Sequence, residues 1–261
     1  MIKLALAQIT PQPSIEFTID KIKDFSKKAK TEDAHLIVFP EMTMGVFDKE
    51  KTPYKLSQYL ESFLEKLSYI SINVDIDIIC PVWEKDISSQ KAYNSIAFIQ
   101  KKDISILYRK IHLFDALGFN ESLFVKKGDF LPKVINYRDF NISFSICYDL
   151  RFPELYRHQA DIKTDISIVC SAWYSGTMKE EHLHTLLRAR AIENTMYVVC
   201  ANLCGDKFCG RSVAFDPFGV MLQDAGEAEN ILVVTCLKER IKEVRKKLPA
   251  LLHRKDDIFS N

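Results

Sequence analysis

Three residues with chemistry to offer stand at the ends of apolar runs. Cys147 closes residues 140–147, where Phe140, Ile142, Phe144 and Ile146 alternate with Asn141, Ser143 and Ser145. Glu41 follows the run Leu36, Ile37, Val38, Phe39 and the break at Pro40, and Lys110 ends a run carrying Ile104, Ile106 and Tyr108. A cysteine nucleophile needs a proton acceptor and a group to hold the charge that develops on the attacked oxygen. A carboxylate and an ammonium could supply both. Glu41 could take the thiol proton and return it to a leaving amine, and Lys110 could stabilise both thiolate and oxyanion. The backbone N–H of Tyr148, directly after the cysteine, could be a second oxyanion donor. The competing reading is that Cys147 is a core thiol, and that Glu41 and Lys110 are the first exposed positions past a sheet edge. Spacing alone does not bring the three together.

The elements that would position them follow from periodicity. The period of two over 140–146 describes a strand with one bulky face and one small, polar face. Pro153 suits the first turn of a helix, with Glu154 next. Residues 140–157 therefore read strand, sharp turn, helix, which sets the thiol near a helix N-terminus, where a thiol can have a lowered pKa. Residues 3–9 and 35–39 read as strands, the second buried on both faces. Between them Ser14 caps a helix in which Ile15, Ile19, Ile22, Phe25 and Ala29 share a face. An amphipathic helix is expected over 54–70, a strand over 74–83, and a hairpin over 92–100 and 104–110. Residues 112–129 read as an irregular loop holding Glu121 and Gly128. Further strands are expected at 165–170, 197–201 and 231–236. Runs at 213–215 and 220–222 flank the turn Asp216-Pro-Phe-Gly219. Helices are expected over 180–194, with Leu183, Leu186, Leu187, Ala191 and Ile192 on one side, and over 238–247. An irregular tail covers 248–261. Strands mixed with helices, with hairpins among them, argue for α/β architecture with mixed sheets and helices outside. With no linker, repeat or shift of composition, a single domain over 1–261 is expected.

Composition limits the function classes. The 261 residues are 47% hydrophobic, enough for a substantial core, and 36 basic against 35 acidic residues leave a net charge of +1. No basic excess points to nucleic acid. No segment approaches a membrane span, and the first residues lack a signal-like apolar region. Seven cysteines in a chain this long fit free thiols in a reducing cytoplasm.

A set of short pieces, in order along the chain, resembles the carbon–nitrogen hydrolase (nitrilase) family, most of all its omega-amidase-type branch. They are Phe39-Pro40-Glu41; Tyr108-Arg109-Lys110-Ile-His-Leu-Phe; Glu121 with Phe124 and Gly128; and Cys147-Tyr-Asp-Leu-Arg-Phe-Pro-Glu-Leu-Tyr156. Leu186-Leu-Arg-Ala-Arg-Ala-Ile-Glu-Asn194, then Asn202, residues 210–212 and Asp216-Pro-Phe-Gly219, complete the set. The resemblance implies a four-layer α-β-β-α sandwich and a Glu–Lys–Cys triad. Glu41 would be the general base, Lys110 the cation that stabilises the intermediate and Cys147 the nucleophile, with Glu121 a second glutamate beside the lysine. It further implies hydrolysis of a small carboxamide through a thioester, without metal or cofactor. Dimers would form through the helices after Cys147 and before Asn194.

Several residues keep two readings. Arg151 is either an anchor for a substrate carboxylate or half of a structural salt bridge. Trp173, followed by Tyr174 where many relatives carry proline, is either a pocket wall or packing. His112 offers a Cys–His alternative, but on the resemblance it holds the loop. Cys200, Cys204 and Cys209 lack paired zinc spacing. The expected substrates are omega-amides, with N-carbamoyl compounds or deaminated glutathione as alternatives. A catalytically silent binding subunit is the alternative of another class.

Overall fold

The computed structural model describes residues 1–255. One sheet runs in the order Asn230–Cys236, Ile2–Gln8, Leu36–Val38, Asp77–Lys85, Ala92–Gln100, Asp103–Arg109, with the short Val125–Lys126 beside Ala92–Gln100. The other runs Met221–Asp224, Val213–Phe215, Tyr197–Asn202, Ile166–Ser171, Phe140–Ile146, Ile135–Tyr137. At the heart of each sheet lies a parallel trio, Ile2–Gln8 with Leu36–Val38 and Asp77–Lys85 in one, Phe140–Ile146 with Ile166–Ser171 and Tyr197–Asn202 in the other. The flanking pairs are antiparallel, apart from the short parallel pairing of Val125–Lys126 with Ala92–Gln100, so both sheets are mixed, as expected.

Alternation along the strands sorts side chains into three apolar layers. Between the sheets, Ile2, Leu4, Leu6, Leu36 and Val38 meet Phe140, Ile142, Phe144, Ile168 and Val199. Outside the first sheet, Ile37, Ile78 and Cys80 pack on Ile22 and Phe25 of the helix Ile15–Thr31 and on Phe63 and Leu67 of Leu60–Val74. Outside the second, Val198, Cys200 and Phe215 pack on Leu155 and Tyr156 of Pro153–Asp161 and on Leu183, Leu187 and Ala191 of Lys179–Asn194. The result is a four-layer α-β-β-α sandwich. The bulky face of 140–146 points between the sheets. Its small face lies under the helices, where the Ser145 and Tyr156 hydroxyls are 2.7 Å apart. A slip of one residue would exchange the two faces. At about 1.5–3 kcal/mol for each large side chain buried, that fixes the register.

Some boundaries differ from expectation. The helix expected over 54–70 is two, Pro53–Ser57 and Leu60–Val74. The apolar period Leu56, Leu60, Phe63, Leu67, Ile70 continues unbroken through the break, so periodicity could not show it. The second helix extends to Val74 and ends on Asp75 in the left-handed conformation, so the next strand starts at Asp77. Ile192 is 42% exposed, while Arg190 and Asn194 take the buried positions on that helix. The strand Ile135–Tyr137 and the small hairpin Cys204–Gly205 with Phe208–Cys209 were not anticipated; both are too short to carry a period. The irregular tail expected over 248–261 lies outside the described residues from 256 onward. Among the described residues, no helix is long and apolar enough to cross a membrane.

Candidate active site

Parallel strands end at a common rim, and in α/β sheets the carboxyl ends of strands are where ligands gather. Glu41 comes just past Leu36–Val38, and Cys147 directly follows Phe140–Ile146. Lys110 reaches the same rim by a different route. The chain reverses from Asp77–Lys85 into Ala92–Gln100 and again into Asp103–Arg109. The last strand thus runs in the direction of the parallel trio and delivers Lys110 beside Glu41.

The Lys110 ammonium is 2.9 Å from Glu41 Oε1 and 3.0 and 2.9 Å from Glu121 Oε1 and Oε2. All three residues are at most 2% exposed. Glu41 Oε1 also accepts from Asn94 Nδ2 at 2.9 Å, and its Oε2 accepts the Ala172 N–H at 3.0 Å. Glu121 Oε2 accepts the Phe114 N–H at 2.7 Å. The lysine backbone is pinned from both sides: its N–H donates to Asn94 O at 2.9 Å, and its carbonyl accepts the Gly128 N–H at 2.8 Å. At Gly128 a Cβ would stand 2.4 Å from Arg109 O, so only glycine lets the two segments approach.

Cys147 opens the 3₁₀ turn Cys147–Arg151 with φ +44°, a left-handed conformation that lifts its side chain off the strand's course. Asp149, fully buried, organises that turn. Its Oδ2 accepts from the Ile146 N–H at 2.9 Å and the Tyr108 hydroxyl at 2.8 Å. Its Oδ1 accepts from the His112 N–H at 3.1 Å and lies 2.7 Å from His112 Nδ1. One carboxylate therefore ties the cysteine strand to the residues on either side of Lys110. Arg190 clamps the far end of the turn, donating to Leu150 O through Nε at 3.2 Å and Nη2 at 2.9 Å.

The electrostatics correct one expectation. The Cys147 thiol is pushed well up, not down: burial raises it most, the Glu41 carboxylate adds to that, and Lys110 only partly opposes. The helix Pro153–Asp161 starts only after the 3₁₀ turn Cys147–Arg151, so the thiol does not sit in its first turn. At rest Cys147 is thus a neutral thiol with a carboxylate close enough to perturb it. At Lys110, burial works against the charge, but Glu121 and then Glu41 outweigh it, so its pKa is well above the ordinary lysine value and it stays a cation. Glu121 is raised by burial, against the pull of Lys110.

Glu41, Lys110, Glu121 and Cys147 line one cavity of about 450 Å³ of non-atom space, its mouth included. Tyr148, Arg151, Trp173 and Tyr174 also line it, together with Phe114, Phe119 and Lys179. Arg151 has no carboxylate partner among the described residues; its guanidinium lies over the Trp173 ring at 5.0 Å. His112 is stacked on Phe152, with centroids 3.7 Å apart, and is bound to Asp149, the holding role expected of it. Cys200, Cys204 and Cys209 are buried free thiols. Sequence reasoning gave no role to Asn94, Asp149, Arg190 and Lys179, although Asp149 and Arg190 stand within the stretches that carry the resemblance. Asn94 lies inside an apolar strand, where a buried amide is a signal; Lys179 in a polar stretch carries none.

This arrangement is chemically suited to acyl transfer. A family model described as Carbon-nitrogen hydrolase matches residues 3–246. The chain is 34% identical to the deaminated glutathione amidase of Escherichia coli O157:H7 over 87% of each protein. It is 28% identical to the Omega-amidase NIT3 of Saccharomyces cerevisiae, over 100% of this chain and 95% of that one. The crystal structure of Saccharomyces cerevisiae Nit3, a member of branch 10 of the nitrilase superfamily, superposes with a TM-score of 0.84 at 26% identity, covering 98% of this chain and 96% of that one. The chain belongs to the carbon–nitrogen hydrolase family and is an amidase-type member of the nitrilase superfamily.

Proposed function

We propose that this protein hydrolyses a small linear carboxamide with a carboxylate at its far end, releasing ammonia through a thioester in the manner of an omega-amidase. The observation that carries the reading is the buried Lys110 ammonium between Glu41 and Glu121, on the wall of the cavity that Cys147 enters. Glu41 takes the thiol proton as sulfur attacks the amide carbon. The tetrahedral oxyanion is met by Lys110 and the Tyr148 N–H, whose place at the start of a 3₁₀ turn leaves it without a partner in a preceding turn. As the intermediate collapses, the C–N bond breaks, Glu41 returns the proton to nitrogen, and ammonia leaves. Water, deprotonated by Glu41, then attacks the thioester, and the acid and free thiol are regenerated. Glu121 holds the lysine in place. A neutral resting thiol requires a base of this kind.

The charge pattern orients the substrate. Deep in the cavity two carboxylates face one ammonium, while Arg151, nearer the turn's end, has no carboxylate partner among the described residues. A substrate carboxylate is drawn to Arg151, with Trp173 beneath it, and the uncharged amide points inward. The names of the relatives at 34% and 28% identity support an acid amide, and the first favours a second reading, the same chemistry on deaminated glutathione. N-carbamoyl compounds remain the third member of the set. Free thiols throughout support a cytoplasmic location. The match over 3–246 supports a single domain. The outer faces of Pro153–Asp161 and Lys179–Asn194, where Ile192 is exposed, would pair in a homodimer.

Ammonia release from a panel of omega-amides, carbamoyl amines and nitriles tests the reading, with Cys147→Ala as control. Turnover of nitriles alone overturns it. Arg151→Ala should raise KM for acid amides roughly tenfold or more, the worth of one hydrogen bond to a charged group. Sedimentation velocity reports the dimer.

A further inference from the structure

Parallel pairing sets a second strand end beside the nucleophile. Ile146 and Cys170 are partners in the register of Phe140–Ile146 and Ile166–Ser171, so Cys147 and Ser171 come next along the two strands. Cys170 points between the sheets, so Ser171 faces the opposite way, onto the small face where Cys147 also packs. Ser171 is fully buried, and its hydroxyl has no hydrogen-bond partner among the described residues. A buried hydroxyl left unsatisfied costs stability, so its position calls for a use. The strand end that carries it is fixed. The Ser171 carbonyl accepts the Leu203 N–H at 3.1 Å, and the Ala172 N–H donates to Glu41 Oε2 at 3.0 Å. The Ala172 donor is thereby committed to the base, and the Ser171 hydroxyl is left for the sulfur. Burial raises the Cys147 thiol most, with Glu41 behind it; Lys110, the Ser171 hydroxyl and the Ala172 N–H pull the other way. Tyr174 and Cys200 also lie within electrostatic reach of the sulfur, but burial raises both, so they carry no charge near neutral pH. Glu121, Arg151 and Lys179 stand elsewhere on the cavity wall.

We propose that the Ser171 hydroxyl is a hydrogen-bond donor held in reserve for the Cys147 thiolate. It is idle against the resting thiol and engages when sulfur carries charge. This deepens the acyl-transfer reading above and rests on it for its part in turnover. In the first step the thiol proton goes to Glu41, the sulfur electron pair forms the C–S bond, and Ser171 holds the charge on sulfur while that bond is incomplete. In the second step the C–S bond breaks, its electron pair returns to sulfur, and Ser171 meets it again before Glu41 gives the proton back. Ser171 keeps its own proton throughout. It does for the sulfur what Lys110 and the Tyr148 N–H do for the oxyanion.

The test compares Ser171→Ala with the wild type and with Ser167→Ala, all on the full chain. Ser167 is the control: it lies on the same strand, is equally buried, and its hydroxyl also lacks a partner, but it stands away from the rim. In Ser171→Ala, kcat/KM for glutaric acid monoamide should fall about tenfold, the weight of one hydrogen bond to a charged group. Iodoacetamide labelling of Cys147 at about pH 8 should slow about threefold, less than the hydrolysis because a more basic thiolate is also the better nucleophile. The Tm should be no lower than that of the wild type, since the hydroxyl removed had no partner. Ser167→Ala should match the wild type in both rates. Unchanged labelling and unchanged hydrolysis in Ser171→Ala overturn this proposal and leave the acyl-transfer reading standing. Equal losses in the two variants also overturn it, because they mark a packing effect and not a donor. Slower labelling in Ser171→Ala alone, from a wild type that hydrolyses no amide, supports the donor and overturns the acyl-transfer reading.

Discussion

Gly128→Ala probes how tightly the lysine is held by backbone alone. The new Cβ would sit 2.4 Å from Arg109 O, 2.9 Å from Arg109 Cβ and 3.0 Å from Arg109 C. Real Cβ contacts essentially never fall below 3.0 Å, so one segment must retreat by at least about 0.6 Å. Neither can do so freely. Gly128 N–H is bonded to Lys110 O, and Lys110 N–H to Asn94 O, whose own side chain holds Glu41. The strain therefore passes to the end of the strand that carries the ammonium. Overpacking of this kind costs about 1–3 kcal/mol. At the ~2–4 °C per kcal/mol of a chain this size, that is a fall in Tm of about 2–12 °C. A misplacement approaching 1 Å costs up to ~10²-fold in rate, so kcat for omega-amide hydrolysis should fall roughly ten- to hundredfold well below the Tm. Steady-state ammonia release and a thermal melt check both. Wild-type kcat together with wild-type Tm would refute the claim that this close approach sets the lysine.

Lys110→Met leaves two buried carboxylates without their counter-ion. It should destabilise by about 3–5 kcal/mol in urea titration, and adding Glu121→Gln should recover part of the loss. Asn94→Ala removes one donor from Glu41 and should cost about 1.5–3 kcal/mol in kcat/KM, with its melt showing whether the fold shares the loss. The Cys147 thiol is raised by burial and by Glu41, so thiolate accumulates only above the ordinary thiol range. Iodoacetamide labelling of the free protein should still be rising steeply past pH 10, while the unfolded chain is half-maximal around pH 8.5 and levels off above about pH 9.5. A native plateau below pH 8 counts against the neutral resting thiol. Intact mass should show a single adduct, absent in Cys147→Ala, because the other thiols are buried.

Much of the site was legible because it lies at strand ends. Glu41, Lys110 and Cys147 each follow an apolar run, and a charged or nucleophilic residue there is set at a sheet rim by the strand itself. Glu121 and Tyr148 followed from the resemblance and from adjacency. Asn94, Asp149 and Arg190 were not legible, since each acts through a partner distant in the chain: Asn94 on Glu41, Asp149 on Tyr108 and His112, Arg190 on Leu150. The thiol pKa was misjudged for the same reason. A helix end can be seen locally, but burial and a carboxylate brought from residue 41 cannot.

The order of elements, the bulky and small faces of each strand and the identity of the reactive groups were determined by the sequence itself, because periods of two and 3.6 and the chemistry of single side chains are local properties. Which strands are neighbours, which rim the hairpin delivers Lys110 to, and how deeply charge is buried were decided only by the tertiary structure. Those depend on the packing of two sheets face to face, and it is that packing which takes water away from Glu41, Lys110 and Glu121 and so makes their mutual electrostatics strong.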